Sequence, residues 1–107
     1  MFEYIATCVI GAIVILLGIT NMMGNISTLH SYHRKNVSEA DRPAFGRLVG
    51  LGTVILGSGV VIFGVLMAVG AENPIITICA TTIMIIGIIV GLGISFYAMK
   101  KYNGGIF

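Results

Sequence analysis

The chain predicts an all-α integral membrane protein, with three transmembrane helices in an up-down-up bundle forming a single membrane domain. Three observations carry that reading. The 107 residues are 57% hydrophobic and only 9% charged, with a mean hydropathy of +1.04. A soluble domain needs more charge than that to cover its surface. The charges are also clustered, leaving uncharged gaps of 30, 24 and 27 residues between Glu3 and Arg34, Arg47 and Glu72, and Glu72 and Lys100. A helix crossing the roughly 30 Å hydrocarbon core needs about 20 residues, so each gap holds one crossing and not two. Finally, the runs are continuously apolar and do not alternate. That pattern selects helices over a barrel, because lipid leaves the backbone no other way to satisfy itself.

The first helix is placed near residues 4–23. A cleaved signal peptide fits these residues less well: FEYIAT at the start is not basic, the apolar run exceeds a signal core, and no A-x-A site precedes Asn25. Met22, Ile26 and Leu29 keep helical spacing beyond the run, so an amphipathic extension is expected to lead into a cytoplasmic loop over 24–47. Within that loop Ser38-Glu39-Ala40-Asp41 matches a capping box with Asp in its third position. Pro43 sits uncomfortably in that register, so Asp41 is the expected N-cap of the next helix. The second helix is placed near 48–69 and the third near 75–99. Between them lies an outer turn over 70–74, short enough to make the two antiparallel neighbours. Asn73 before Pro74 reads as an N-cap with proline at the first helical position. A C-terminal tail over 100–107 is expected to fray at NGGIF.

Orientation follows from the cations. Arg34, Lys35, Arg42 and Arg47 lie in the first loop, and Lys100 and Lys101 follow the third helix; these are all six basic residues of the chain. With three crossings the two clusters share a side, and the positive-inside rule makes that side cytoplasmic. The expected location is the plasma membrane, with the N-terminus outside and the C-terminus in the cytoplasm. Phe2 and Tyr4 at one interface and Tyr97 and Tyr102 at the other fit an aromatic belt. The net charge of +2 is then a topology signal and implies no nucleic-acid partner.

The segment S-x-L-H-x-Y-H-R, followed by an acidic turn and F-G-R-L-V-G-L-G, resembles an uncharacterised family of small three-helix membrane proteins of Gram-positive bacteria, filed as a domain of unknown function. The resemblance covers residues 25–64 in detail and the rest in pattern. It implies the same architecture and brings no activity, ligand or site residue with it.

Candidate sites each meet a plainer reading. His30 and His33 are three apart and form the weak candidate for metal binding. Two ligands are an incomplete set, and histidines also sit comfortably at a headgroup boundary; no metal and no cofactor are expected. Tyr32, Arg34, Lys35, Arg42, Arg47, Lys100 and Lys101 form an anionic-lipid or docking surface, each cation being attracted by about 1 kcal/mol near an anionic membrane. Cys8 and Cys79 lie at similar depth on the first and third helices, which permits a disulfide, whereas buried thiols in lipid act as small apolar groups. The sequons at Asn25 and Asn36 fall on the cytoplasmic side and are expected to be empty. No nucleophile–base pair, phosphate loop or intramembrane carboxylate appears, which argues against an enzyme and against ion-coupled transport.

Glycine is the strongest pattern, at 15 residues. Gly50, Gly57 and Gly64 recur every seven residues, with Gly46 extending the line. Gly52 and Gly59 repeat the interval about 200° around the same helix. Gly11 and Gly18 mark the first helix, and Gly87, Gly91 and Ser95 the third. Small residues let backbones approach closely in lipid, where packing replaces the hydrophobic drive. One face of the second helix is expected to pack inside the chain, with the Gly50 line the choice, and the other to meet a second copy or a larger membrane protein. The functional expectation is a non-enzymatic accessory, interaction or immunity-type subunit acting by helix–helix contact, in membrane lipid and as a homo-oligomer or on a partner. The alternative is an oligomeric pore-former such as a holin or small channel, and more remotely a small exporter.

Overall fold

The computed structural model describes residues 2–23 and 37–104. Three helices account for nearly all of them: α1 over Phe2–Met22, α2 over Arg42–Gly70 and α3 over Pro74–Asn103. All three are long and apolar enough to cross a membrane, and no strand occurs among the described residues. The amphipathic extension expected after Met22, with Ile26 and Leu29, lies outside them.

Helix ends follow local chemistry. The Asn73 side chain accepts from the Ile75 N–H at 2.9 Å and Pro74 opens α3, as the sequence predicts. At α2 the expectation needs correction. Asp41 holds the N-cap position with helical backbone angles and no side-chain cap. Ser38 instead accepts from the Asp41 N–H through its hydroxyl, at 3.2 Å. The Ser38 half of the capping box therefore forms one turn before the helix, and Pro43 falls in the first turn, where a missing N–H costs nothing. α3 ends at Gly104, which takes φ +78° and returns its N–H to the Met99 carbonyl. Glycine tolerates that left-handed angle at no steric cost.

Neighbouring contacts run in opposite chain directions. A Cβ added at Gly11 would meet Val61, one at Gly18 would meet Val54, and one at Gly64 would meet Cys8; residue numbers rise along α1 as they fall along α2. The same reversal links Gly52 to Ser95 and Gly59 to Ile83. The order is up-down-up. No Cα of α1 lies within 8 Å of α3, although each flanks α2. The helices therefore form a row with α2 in the middle, which follows from seams set about 200° apart on its surface.

Helices α2 and α3 have 29 and 30 residues, about 45 Å each at 1.5 Å per residue. That exceeds the hydrocarbon core by roughly 15 Å, so both run past it. Taken at the basic end, the excess coincides with the best-packed part of the chain. Phe45 and Ala98 are fully buried, and Val49 and Met99 nearly so, with Val37, Leu48 and Tyr102 packed against them. The Tyr102 ring meets Phe45 edge-on at 6.4 Å. Asn103 is fully buried and helical, so the expected fraying at this residue is overturned. The apolar windows of the spans show the opposite, with only 11–22% of their residues buried inside the chain. Water rewards the burial of Phe45, and lipid offers an apolar side chain no such reward.

Candidate contact seams and the basic end

Two glycine seams join the row. On the α1 side, a Cβ at Gly57 would lie 2.9 Å from the Gly11 carbonyl oxygen and 3.0 Å from the Ile15 nitrogen. One at Gly64 would lie 2.6 Å from the Cys8 sulfur, and one at Gly50 would overlap Met22 and the Gly18 carbonyl. On the α3 side, Gly52 and Gly91 are mutually closed, since a Cβ on either would run into the carbonyl of the other. Gly59 and Gly87 meet more loosely, at 3.4 Å from Cβ position to opposing Cα. Gly46 is buried on the Gly50 line. The expectation that one glycine face of α2 is left for an outside partner is therefore overturned. Both faces are consumed within the chain, because α2 has a helix on each side and each backbone must come close.

Ser95 is buried against Gly52 and completes the α3 line read from the sequence. Gly93 points away from every neighbour, with nothing within 4 Å of a Cβ there. The Cys8 thiol faces the Val61 carbonyl at 3.9 Å, while Cys79 is exposed on α3. A disulfide needs Cα atoms about 4.4–6.8 Å apart, so helices on opposite sides of α2 exclude the bond that equal depth permitted.

The hydroxyls of Thr7, Thr20, Thr53 and Thr82 each donate to a carbonyl of their own helix, at 2.7–2.8 Å. They are spent locally, as Ser and Thr in apolar helices commonly are.

With its glycine flanks filled, α2 has two broad faces left. One is half-buried, through Thr53, Leu56, Val60, Phe63 and Met67. The other is open, with Leu51, Ile62, Val65 and Val69 exposed by 40–77%. The open stripe carries a cleft toward each end. The first, of about 350 Å³, is wholly apolar and runs between α1 and α2 along Tyr4, Cys8, Val9, Val65 and Val69. The second, of about 410 Å³, lies at the basic end among Met22, Ala44, Arg47, Leu48, Leu51 and Tyr102.

At the basic end Arg42, Arg47, Lys100 and Lys101 are exposed. The Lys101 ammonium sits over the rings of Tyr97 and Tyr102, at 5.9 and 5.3 Å from their centroids, within cation–π range. His30, Tyr32, His33, Arg34 and Lys35 lie outside the described residues, so the metal candidate and three of the seven residues of the expected lipid surface do too. No cluster of three or more His, Cys, Asp or Glu suited to a metal occurs among the described residues. Asn21 and Asn103, buried at the ends of α1 and α3, were missed in the sequence. Neither lacks a partner. Their signal is a lone polar residue placed where an apolar stripe would continue.

The fold and these seams define a small multi-pass helical membrane protein. Comparison with protein-family models, with curated proteins and with solved structures gives no match.

Proposed function

We propose that the protein is a non-enzymatic accessory, interaction or immunity-type subunit that works by lateral contact within the plasma membrane, either with a second copy or with a larger membrane protein. The observation that supports this reading is the open stripe of α2. The central helix of the row satisfies both glycine seams internally and still presents Leu51 toward one end and Ile62, Val65 and Val69 toward the other, with half-buried Ile55 and Ser58 between them and a cleft toward each end. A partner helix crossing that face would meet side chains and shallow grooves, the geometry by which helices pack through van der Waals contact in lipid. The charge asymmetry supports an orientation with the N-terminus outside and the C-terminus in the cytoplasm. The family resemblance over residues 25–64 belongs to the same proposal.

A photo-crosslinking residue placed at Val65, compared with one at Ile89 on the far edge of α3, tests the reading in native membranes. A discrete adduct from Val65 and only lipid adducts from Ile89 are expected. Lipid adducts alone from both would sink it. The pore-forming alternative predicts dye leakage from liposomes holding the purified chain; the accessory reading expects the dye to stay inside.

A further inference from the structure

The cleft beside Arg47 differs from the apolar groove near Tyr4 in joining an apolar floor to a cation; a second cleft at the basic end, among Tyr97, Lys100 and Lys101, has cations but no aliphatic floor. Met22 from α1 and Ala44, Leu48 and Leu51 from α2 supply the floor, and Arg47 and Tyr102 the rim. We propose that this cleft seats one anionic glycerophospholipid, its phosphate held by Arg47 and its acyl chains lying over Leu48, Leu51 and Met22. The inference concerns only the Arg47 end of the α2 stripe, and a protein partner seated in this same cleft would exclude it.

Charge complementarity selects the occupant. Four described cations, Arg42, Arg47, Lys100 and Lys101, lie at this end, and after the carboxylates of Glu39 and Asp41 are subtracted it keeps +2, while the described residues of the other end carry the carboxylates of Glu3 and Glu72. Among the described residues Arg47 has no carboxylate partner, and neither Glu39 nor Asp41 lines the cleft. Its guanidinium is planar and always charged, suited to grip phosphate oxygens two at a time. The rim is also built rather than incidental. Tyr102 is held edge-on by the fully buried Phe45, and Lys101 is anchored over the Tyr102 ring. Lys101 thus adds positive field beside the cleft. A soluble anion would leave the apolar floor unused, and a zwitterionic lipid would leave the field uncompensated. An anionic amphiphile uses both, and at the membrane boundary such lipids are the solvent.

The test uses the full chain in mild detergent, titrated separately with phosphatidylglycerol and phosphatidylcholine, with retained lipids counted by native mass spectrometry. Retention of one phosphatidylglycerol over phosphatidylcholine is expected. Arg47→Gln should weaken it about fivefold, the weight of one cation near an anionic surface. Arg42→Gln, an equal charge loss outside the cleft, should change it far less. Leu51→Trp fills the floor and leaves the charge intact, and should displace the lipid; Leu51→Gln, a smaller change, covers the case in which the tryptophan variant loses its helical circular dichroism. Equal retention of both lipids, equal effects at Arg47 and Arg42, a floor variant that holds lipid like the parent, or a second chain in place of the lipid would each overturn the proposal.

Discussion

Alanine substitution along α2 gives a prediction whose sign changes between neighbouring glycines. At Gly57 the new Cβ would sit 2.9 Å from the Gly11 carbonyl oxygen and 2.9 and 3.0 Å from Cγ1 and N of Ile15. Ordinary contact begins near 3.4 Å, and two of these three atoms are backbone that cannot swing aside. Helices α1 and α2 must then part by about half an ångström, enough to forfeit a quarter or more of the dispersion well at each neighbouring contact. Overpacking of this kind costs about 1–3 kcal/mol. Replacing a helical glycine by alanine returns about 0.5–1 kcal/mol of backbone entropy. The net for Gly57→Ala is a destabilisation of up to about 2.5 kcal/mol, centred near 1. At Gly59 the Cβ would lie 3.4 Å from the Gly87 Cα and 3.6 Å from its next neighbours, already ordinary contact. Gly59→Ala should therefore be neutral or stabilising by about 0.5 kcal/mol. Gly93→Ala, with open space around it, is the reference for propensity alone. Reversible unfolding in mixed micelles by increasing mole fraction of SDS, followed by circular dichroism, reads all three. If Gly59→Ala loses as much stability as Gly57→Ala, the α3 seam is not the looser one and the reasoning from these distances is wrong.

Larger and more distant perturbations extend the same logic. Gly59→Leu cannot be absorbed at 3.4 Å from opposing backbone, so it should lower the yield of folded monomer as Gly57→Leu does; a change confined to oligomer size on crosslinking would restore an outside partner at that face. Asn73→Ala removes the acceptor for the Ile75 N–H and should cost about 1 kcal/mol in the same SDS titration, with a serine replacement recovering most of it. Oxidation of detergent-solubilised protein should give no intrachain Cys8–Cys79 bond, and a membrane-permeant maleimide should label exposed Cys79 faster than half-buried Cys8; equal labelling rates would contradict the packing of Cys8 against Gly64. In intact cells an impermeant thiol reagent should modify Asn73→Cys and spare Ser38→Cys, the reverse pattern inverting the orientation.

How much of this was legible beforehand depends on whether a feature is local. The number of spans and the segregation of cations are properties of single segments measured against a bilayer of known thickness; each uncharged gap holds one helix, but α2 begins at Arg42, six residues before the expected start at 48, and α3 runs to Asn103, four past the expected end at 99. The Asn73–Pro74 start is local as well, since a cap needs only residues two or three apart. The glycine lines were equally visible, and so was their angular separation on α2. Which helix each line meets was not. A small residue states that a backbone can come close and carries no address, so one face was assigned to an outside partner when both are filled from within. Only the row arrangement, with α1 and α3 on opposite flanks of α2, decides that. The same tertiary fact rules out the Cys8–Cys79 bond and leaves open the α2 stripe of Leu51, Ile62, Val65 and Val69. It also buries Phe45 and Val49 together with Ala98 and Met99. The α2 and α3 members of this cluster are some fifty positions apart in the chain, and nothing in their own neighbourhoods marks them. They meet because α2 and α3 pack as antiparallel neighbours, and with their excess length taken at the basic end, water there favours burying an aromatic ring.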